Sequence, residues 1–135
     1  MLEEEYDEVI IAPKNTPGLD MKTRKGFVKI GWQVKTRDRR TGSDDKFSYI
    51  KLSDANYVKE TARLWEVDRV SYAVVLLLDD FVEVFWFSKN AYSKYTKNQR
   101  GGRPTFNMTG PWRKIYESDK DVRIERRKDL DYFDF

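Results

Sequence analysis

Val70 to Leu78, VSYAVVLLL, is an uninterrupted and mostly apolar run rich in β-branched residues. It is far too short to cross a membrane, and it fits a strand covered on both faces near the middle of a sheet. Asp79-Asp80 punctuates it, and Phe81 to Ser88 is the next strand, paired with it as a hairpin. A doubly covered strand needs a layer above and below. Upstream, Ser53 is a good N-cap for a helix running to Trp65, with Asp54 in the first turn where the helix dipole favours an anion. Ala55, Val58, Ala62 and Trp65 fall on one stripe of that helix, which predicts packing against the sheet.

The chain before this helix predicts an antiparallel meander. Asp7 to Lys14 is a strand by its Val9-Ile10-Ile11 content, and Asn15-Thr16-Pro17-Gly18 is strong turn chemistry. A short strand LDMKT follows, then a turn at Arg24-Lys25-Gly26, then a long strand from Phe27 to about Thr36. Alternation places Val28, Ile30, Trp32 and Val34 on an apolar face. Phe27, Lys29, Gly31, Gln33 and Lys35 share the other, where Gln33 and Lys35 project side by side within reach of a ligand.

Beyond the meander, Arg37 to Lys46 is a polar loop, and Phe47 to Lys51 a brief extended piece. Beyond the hairpin, Asn90 to Tyr95 is a short helix, Thr96 to Pro104 a loop, and Thr105 to Met108 a short strand broken by Gly110-Pro111. Ile115-Tyr116 and Val122 to Ile124 read as weak edge structure before the acidic, aromatic tail DLDYFDF. With 135 residues, the expectation is one α/β (α+β) domain over 1–135, a central mixed β-sheet with flanking helices.

Two absences limit the chemistry. Without cysteine there is no disulfide, thiolate nucleophile or cysteine-ligated metal, and without histidine no Ser-His-Asp triad or ordinary zinc site. Metal chemistry would need oxygen ligands, which suits Mg²⁺ or Mn²⁺, and acid–base work would fall to Asp, Glu, Lys or Tyr. The acidic start MLEEEYDE is unlike a secretory signal, so a soluble, cytoplasmic protein without membrane association is expected.

The net charge of +3 hides two basic blocks. Lys22 to Arg40 holds eight basic residues against the single acid Asp38, and Lys89 to Lys114 holds seven and no acid. Solvated loops account for either block alone. Together, interleaved with aromatics, they point to a polyanion, most simply nucleic acid. The expected phosphate contacts are Lys89, Lys94, Lys97, Arg100, Arg103, Arg113 and Lys114. Arg100-Gly101-Gly102-Arg103 is either a close phosphate approach or a flexible loop. Trp112 is a candidate for stacking on a base, with Tyr92 and Tyr95 as helpers, while Trp32, Trp65 and Trp86 are expected in the core.

A carboxylate at the head of one strand and a polar–x–Lys pair on the next can serve phosphodiester cleavage. The carboxylate binds a divalent cation, and the lysine orients or deprotonates water and offsets transition-state charge. Asp20 followed by Gln33-Val34-Lys35 resembles the PD-(D/E)XK nuclease superfamily, the restriction-endonuclease-like fold. Gly18-Leu19-Asp20 stands at its Pro-Asp and Gln33-Val34-Lys35 at its (D/E)-X-K, glutamine there being a variant of some homing endonucleases and of QVK-bearing domains. The helix 53–65 and strand 70–78 match the pattern after the lysine. The resemblance implies Mg²⁺- or Mn²⁺-dependent DNA cleavage with Asp20, Gln33 and Lys35 catalytic and Asp20, Gln33 and the Val34 carbonyl as metal ligands. It departs from the family in its neutral Gln33 and in lacking an opening helix with a glutamate: either Glu5 or another acid of LEEEY substitutes, or the chain has lost that helix. Cutting both strands with one small site per chain implies a dimer or higher homo-oligomer, with Tyr132, Phe133 and Phe135 as interface candidates. A non-catalytic nucleic-acid-binding module is the alternative, and a protein-interaction domain with incidental charge a third reading.

Overall fold

The computed structural model describes residues 6–12, 18–43, 49–53, 55–96 and 104–128. In chain order the elements are β1 (Glu8–Ile11), β2 (Met21–Lys25), β3 (Val28–Asp38), β4 (Tyr49–Lys51), α1 (Ala55–Leu64), β5 (Arg69–Leu77), β6 (Val82–Phe87), α2 (Lys89–Tyr95), β7 (Thr105–Asn107), α3 (Gly110–Glu117) and β8 (Val122–Arg127). The fold is α+β, a central six-stranded mixed sheet in the order β1-β2-β3-β5-β6-β8 with a small β4-β7 pair.

The meander is antiparallel as expected, its connections too short in sequence for a parallel crossover. β3 and β5 are the one parallel pair of the large sheet, because the connection through α1 returns the chain in the same direction. The apolar run becomes β5, flanked by β3 and β6 and buried from Ser71 to Leu76. On one face Tyr72, Val74, Leu76, Phe85 and Phe87 pack against Ala91 of α2, Tyr116 of α3, and Ile50 and Phe106 of the small sheet. Phe87 stacks on Phe106 at 4.0 Å and meets Tyr116 edge-on at 5.1 Å, pairs worth about 0.5–1.5 kcal/mol each beyond area burial. The other face carries Met21, Trp32, Ala73, Val75, Val82, Val84 and Trp86, with Ile30 and Val34 packed against them.

Three expectations are corrected, and the edge structure expected at Val122 to Ile124 is present. Phe27 lies in the turn, wholly exposed, because Gly26 takes φ +61 and β3 begins only at Val28. Gly110-Pro111 starts α3 instead of ending structure: proline at the first helical turn lacks only an N–H that would have no intrahelical partner. Ile115 and Tyr116 are therefore helical. Val122 to Ile124 belongs to an edge strand that continues to Arg127 and is held to β6 by Glu83, whose carboxylate lies 2.6 Å from the Arg126 Nε. Ser88 caps α2, its hydroxyl accepting from the Ala91 N–H at 3.2 Å. Glu5, Asp54 and the aromatic tail at 132–135 lie outside the described residues.

Candidate functional site

β2 and β3 pair in regular register up to Met21 opposite Trp32. One residue further the Asp20 N–H still donates to the Trp32 carbonyl at 2.8 Å, and its own carbonyl accepts from Ala12 N–H at 2.8 Å. There β2 ends. The next N–H needing a partner on that edge of β3 belongs to Val34, and the Asp20 carboxylate supplies the acceptor at 2.7 Å. A side chain thus takes the place of a strand, and the Asp20 charge lies against the backbone between Gln33 and Lys35.

Gln33 has a different environment from the one its strand position predicts. It is 2% exposed. Its amide nitrogen donates to the Gly18 carbonyl at 2.8 Å and its oxygen accepts from Ser53 N–H at 3.1 Å. The expectation of an open Gln33 is corrected: the segment leading into α1 closes over it. Gly18, at φ +82, comes so near α1 that a Cβ would sit 3.2 Å from the Thr61 hydroxyl, and Leu19 packs over Gly31, where a Cβ would lie 2.7 Å from its methyl. Lys35, on the same face two residues along, remains half-buried and makes no hydrogen bond or ion pair with a described residue.

Among the described residues no three His, Cys, Asp or Glu side chains gather as a metal cluster. Asp20 keeps a second carboxylate oxygen besides the one Val34 N–H binds, and the Gln33-Val34 segment carries an amide oxygen and a backbone carbonyl as further oxygen donors. Mg²⁺ accepts one or two carboxylates when water and substrate phosphates complete its octahedron, and oxygen donors are the chemistry it takes.

The predicted phosphate contacts scatter. Lys94 is redirected: its ammonium lies 2.7 Å from Asp119 and 3.6 Å from Asp121, so its charge is matched inside the fold. With Lys94 first, then the Tyr95 hydroxyl, these donors hold the Asp119 carboxyl down to about 2. Burial and the same carboxylate push Tyr95 up to about 12. Lys97, Arg100 and Arg103, with the whole Arg100–Arg103 segment, lie outside the described residues. Lys89 and Lys114 are exposed, whereas Arg113 is half-buried with a buried Nε that finds no partner among the described residues. Of the proposed stacking rings, Tyr92 is already stacked on Tyr72 at 4.3 Å, while Trp112 keeps 37% of its surface exposed. Asp79 is a turn residue, its carboxyl lowered by the Thr41 hydroxyl and N–H that it binds, each at 2.7 Å.

One grouping escaped the sequence reading. Arg69, Lys89 and Lys120 meet around Trp32 and Trp86 on the sheet face opposite Gln33. The parity of Trp32 along β3 was the one available signal.

No protein-family model matches the chain, and no curated protein matches it by sequence. Among solved structures it is similar to a restriction endonuclease in complex with substrate DNA, at 14% identity and a TM-score of 0.43, over 94% of this chain and 65% of that one. At that distance the chain's own residues define the site. The class of protein they define is an α+β domain with a six-stranded mixed sheet. No helix among the described residues is long and apolar enough to cross a membrane.

Proposed function

We propose that this chain is a restriction-endonuclease-like, metal-dependent endonuclease acting on DNA, with Asp20 and Lys35 as its catalytic pair and Gln33 beside them. The observation that carries the reading is the 2.7 Å bond from Val34 N–H to the Asp20 carboxylate, which brings a charge from the early turn to the Gln33-Val34-Lys35 segment. Asp20, Gln33 Oε1 and the Val34 carbonyl would hold Mg²⁺ or Mn²⁺. The cation, when bound, supplies charge stabilisation at the phosphate and acidifies bound water. Lys35 directs its Nζ donors at a phosphate oxygen or at the attacking water, and its half-buried position strengthens that charge. Exposed Lys114, with Arg113 before it in the chain, contributes to backbone contacts. Cleavage of both strands of a duplex would engage two chains.

A second reading is favoured by Gln33, whose amide ties two segments together as a structural group would. It is a non-catalytic nucleic-acid-binding module. Plasmid nicking with Mg²⁺ or Mn²⁺ separates the two. Cleavage abolished by Lys35→Ala and by chelation, with DNA binding retained, supports the enzyme. Salt-sensitive binding without cleavage in either metal supports the module. Parallel RNA substrates test the choice of DNA.

A further inference from the structure

The sheet face opposite Gln33 holds a cleft of about 600 Å³, within the range of small-ligand sites. Its floor follows from register: Trp32 lies opposite Ser71, and Ala73 opposite Trp86. The two indoles meet edge to face at 5.2 Å and are each 7% exposed. Ser71 is 5% exposed, lines the cleft, and its hydroxyl makes no hydrogen bond with a described residue. The Trp86 indole N–H is buried and also lacks a described partner. The Ser71 hydroxyl reaches the cleft, where a ligand can take the place of water as its partner.

The rim is cationic. Arg69, Lys89 and Lys120 line it, all exposed and none in an ion pair with a described residue. The other charged lining groups are matched elsewhere, Asp121 by Lys94 at 3.6 Å and Arg123 by Glu125 at 2.8 Å. The small exposed parts of the two indoles below, one open hydroxyl between them, and three uncommitted cations above suit a hydrogen-bonding ligand that carries an anion and lays one edge on the rings.

The geometry points to a binding site for a single unpaired nucleotide, its base against Trp32 and Trp86 within reach of Ser71, its phosphate held by Arg69, Lys89 and Lys120. The site lies on the opposite face from Asp20 and Lys35 and does not depend on their activity. Base contact with indole surface and phosphate contact with uncommitted cations are the interactions such a ligand needs. Its source is either a free nucleotide or an unpaired position in a strand.

Tryptophan fluorescence titration of the full chain with dAMP tests it. Saturable quenching is expected, weakened about tenfold or more in Lys89→Glu/Lys120→Glu and about threefold to tenfold in Ser71→Ala. It is unchanged in Asp20→Asn, which separates this site from the nuclease reading. Competition by a DNA hairpin with one extrahelical adenine, but not by a fully paired hairpin, assigns the site to strands. Competition by neither hairpin assigns it to free nucleotides. Both results support the proposal. Absence of saturable quenching overturns it, as does equal affinity for deoxyribose 5-phosphate, or undiminished binding by the charge-reversed variant.

Discussion

Gln33 and Gly18 are joined by a 2.8 Å bond from the amide nitrogen to the carbonyl oxygen, and the same amide accepts from Ser53. One neutral side chain thus ties β3, the turn before β2 and the lead-in to α1. A carboxylate in its place could not donate to Gly18 and would be buried beside its carbonyl. Gln33→Glu is therefore expected to lose about 1–3 kcal/mol of stability. The same change adds a hard anionic ligand next to Asp20, so Mg²⁺ should raise the melting temperature of the variant more than that of the wild type. Thermal melts with and without metal check both parts. A variant as stable as wild type, or indifferent to Mg²⁺, contradicts the site as described.

Asp20 does two separable things. It accepts from Val34 N–H, which any side-chain oxygen at that point can do, and in the proposed function it would carry the charge a cation needs. Asp20→Ala leaves that N–H without its partner and should cost about 1–3 kcal/mol, while Asp20→Asn should cost less than half as much. Both should abolish metal-dependent nicking. Chemical denaturation beside a nicking assay reads the two roles independently.

Lys35 has no described partner to lose. Lys35→Ala is expected to change stability by no more than about 0.5 kcal/mol, as is usual where no specific contact is removed, and to eliminate cleavage. Nicking at the wild-type rate by this folded variant would remove lysine from the mechanism.

Asp119 predicts a pH dependence. Lys94 and Tyr95 hold its carboxyl at about 2 against an ordinary 3.8. The folded state thus binds this proton less readily than the unfolded one, so the stabilisation is complete above the ordinary value and disappears as pH falls through about 2. Asp119→Asn should lower stability at neutral pH, by about 1.5–3 kcal/mol for its charged hydrogen bonds, and flatten the dependence between roughly pH 4 and 2. Melts across that interval check it.

Gly31 leaves the space that Leu19 fills, and a Cβ there would lie 2.7 Å from the leucine methyl. Gly31→Ala should destabilise the fold by about 1–3 kcal/mol through overpacking, and Leu19→Ala in the same chain should recover part of the loss. Additive losses in the double variant would show that the two positions do not compete for space.

The order of elements was legible along most of the chain because it rests on local signals. An uncharged run buried on both faces could only be an inner strand, turn residues set the meander, and alternation sorted Trp32 from Gln33. The pairing of Asp20 with the Gln33-Val34-Lys35 segment was legible too, since a short antiparallel connection brings those positions together. What each side chain meets there was not. Gln33 is covered because Ser53, far along the chain, arrives above it, and Lys94 is neutralised because Asp119 comes back beside α2. Arg69, Lys89 and Lys120 surround two indoles only after four strands have taken their places in the sheet. Propensity and period act over a few residues, whereas burial and charge pairing belong to neighbours that folding alone brings together.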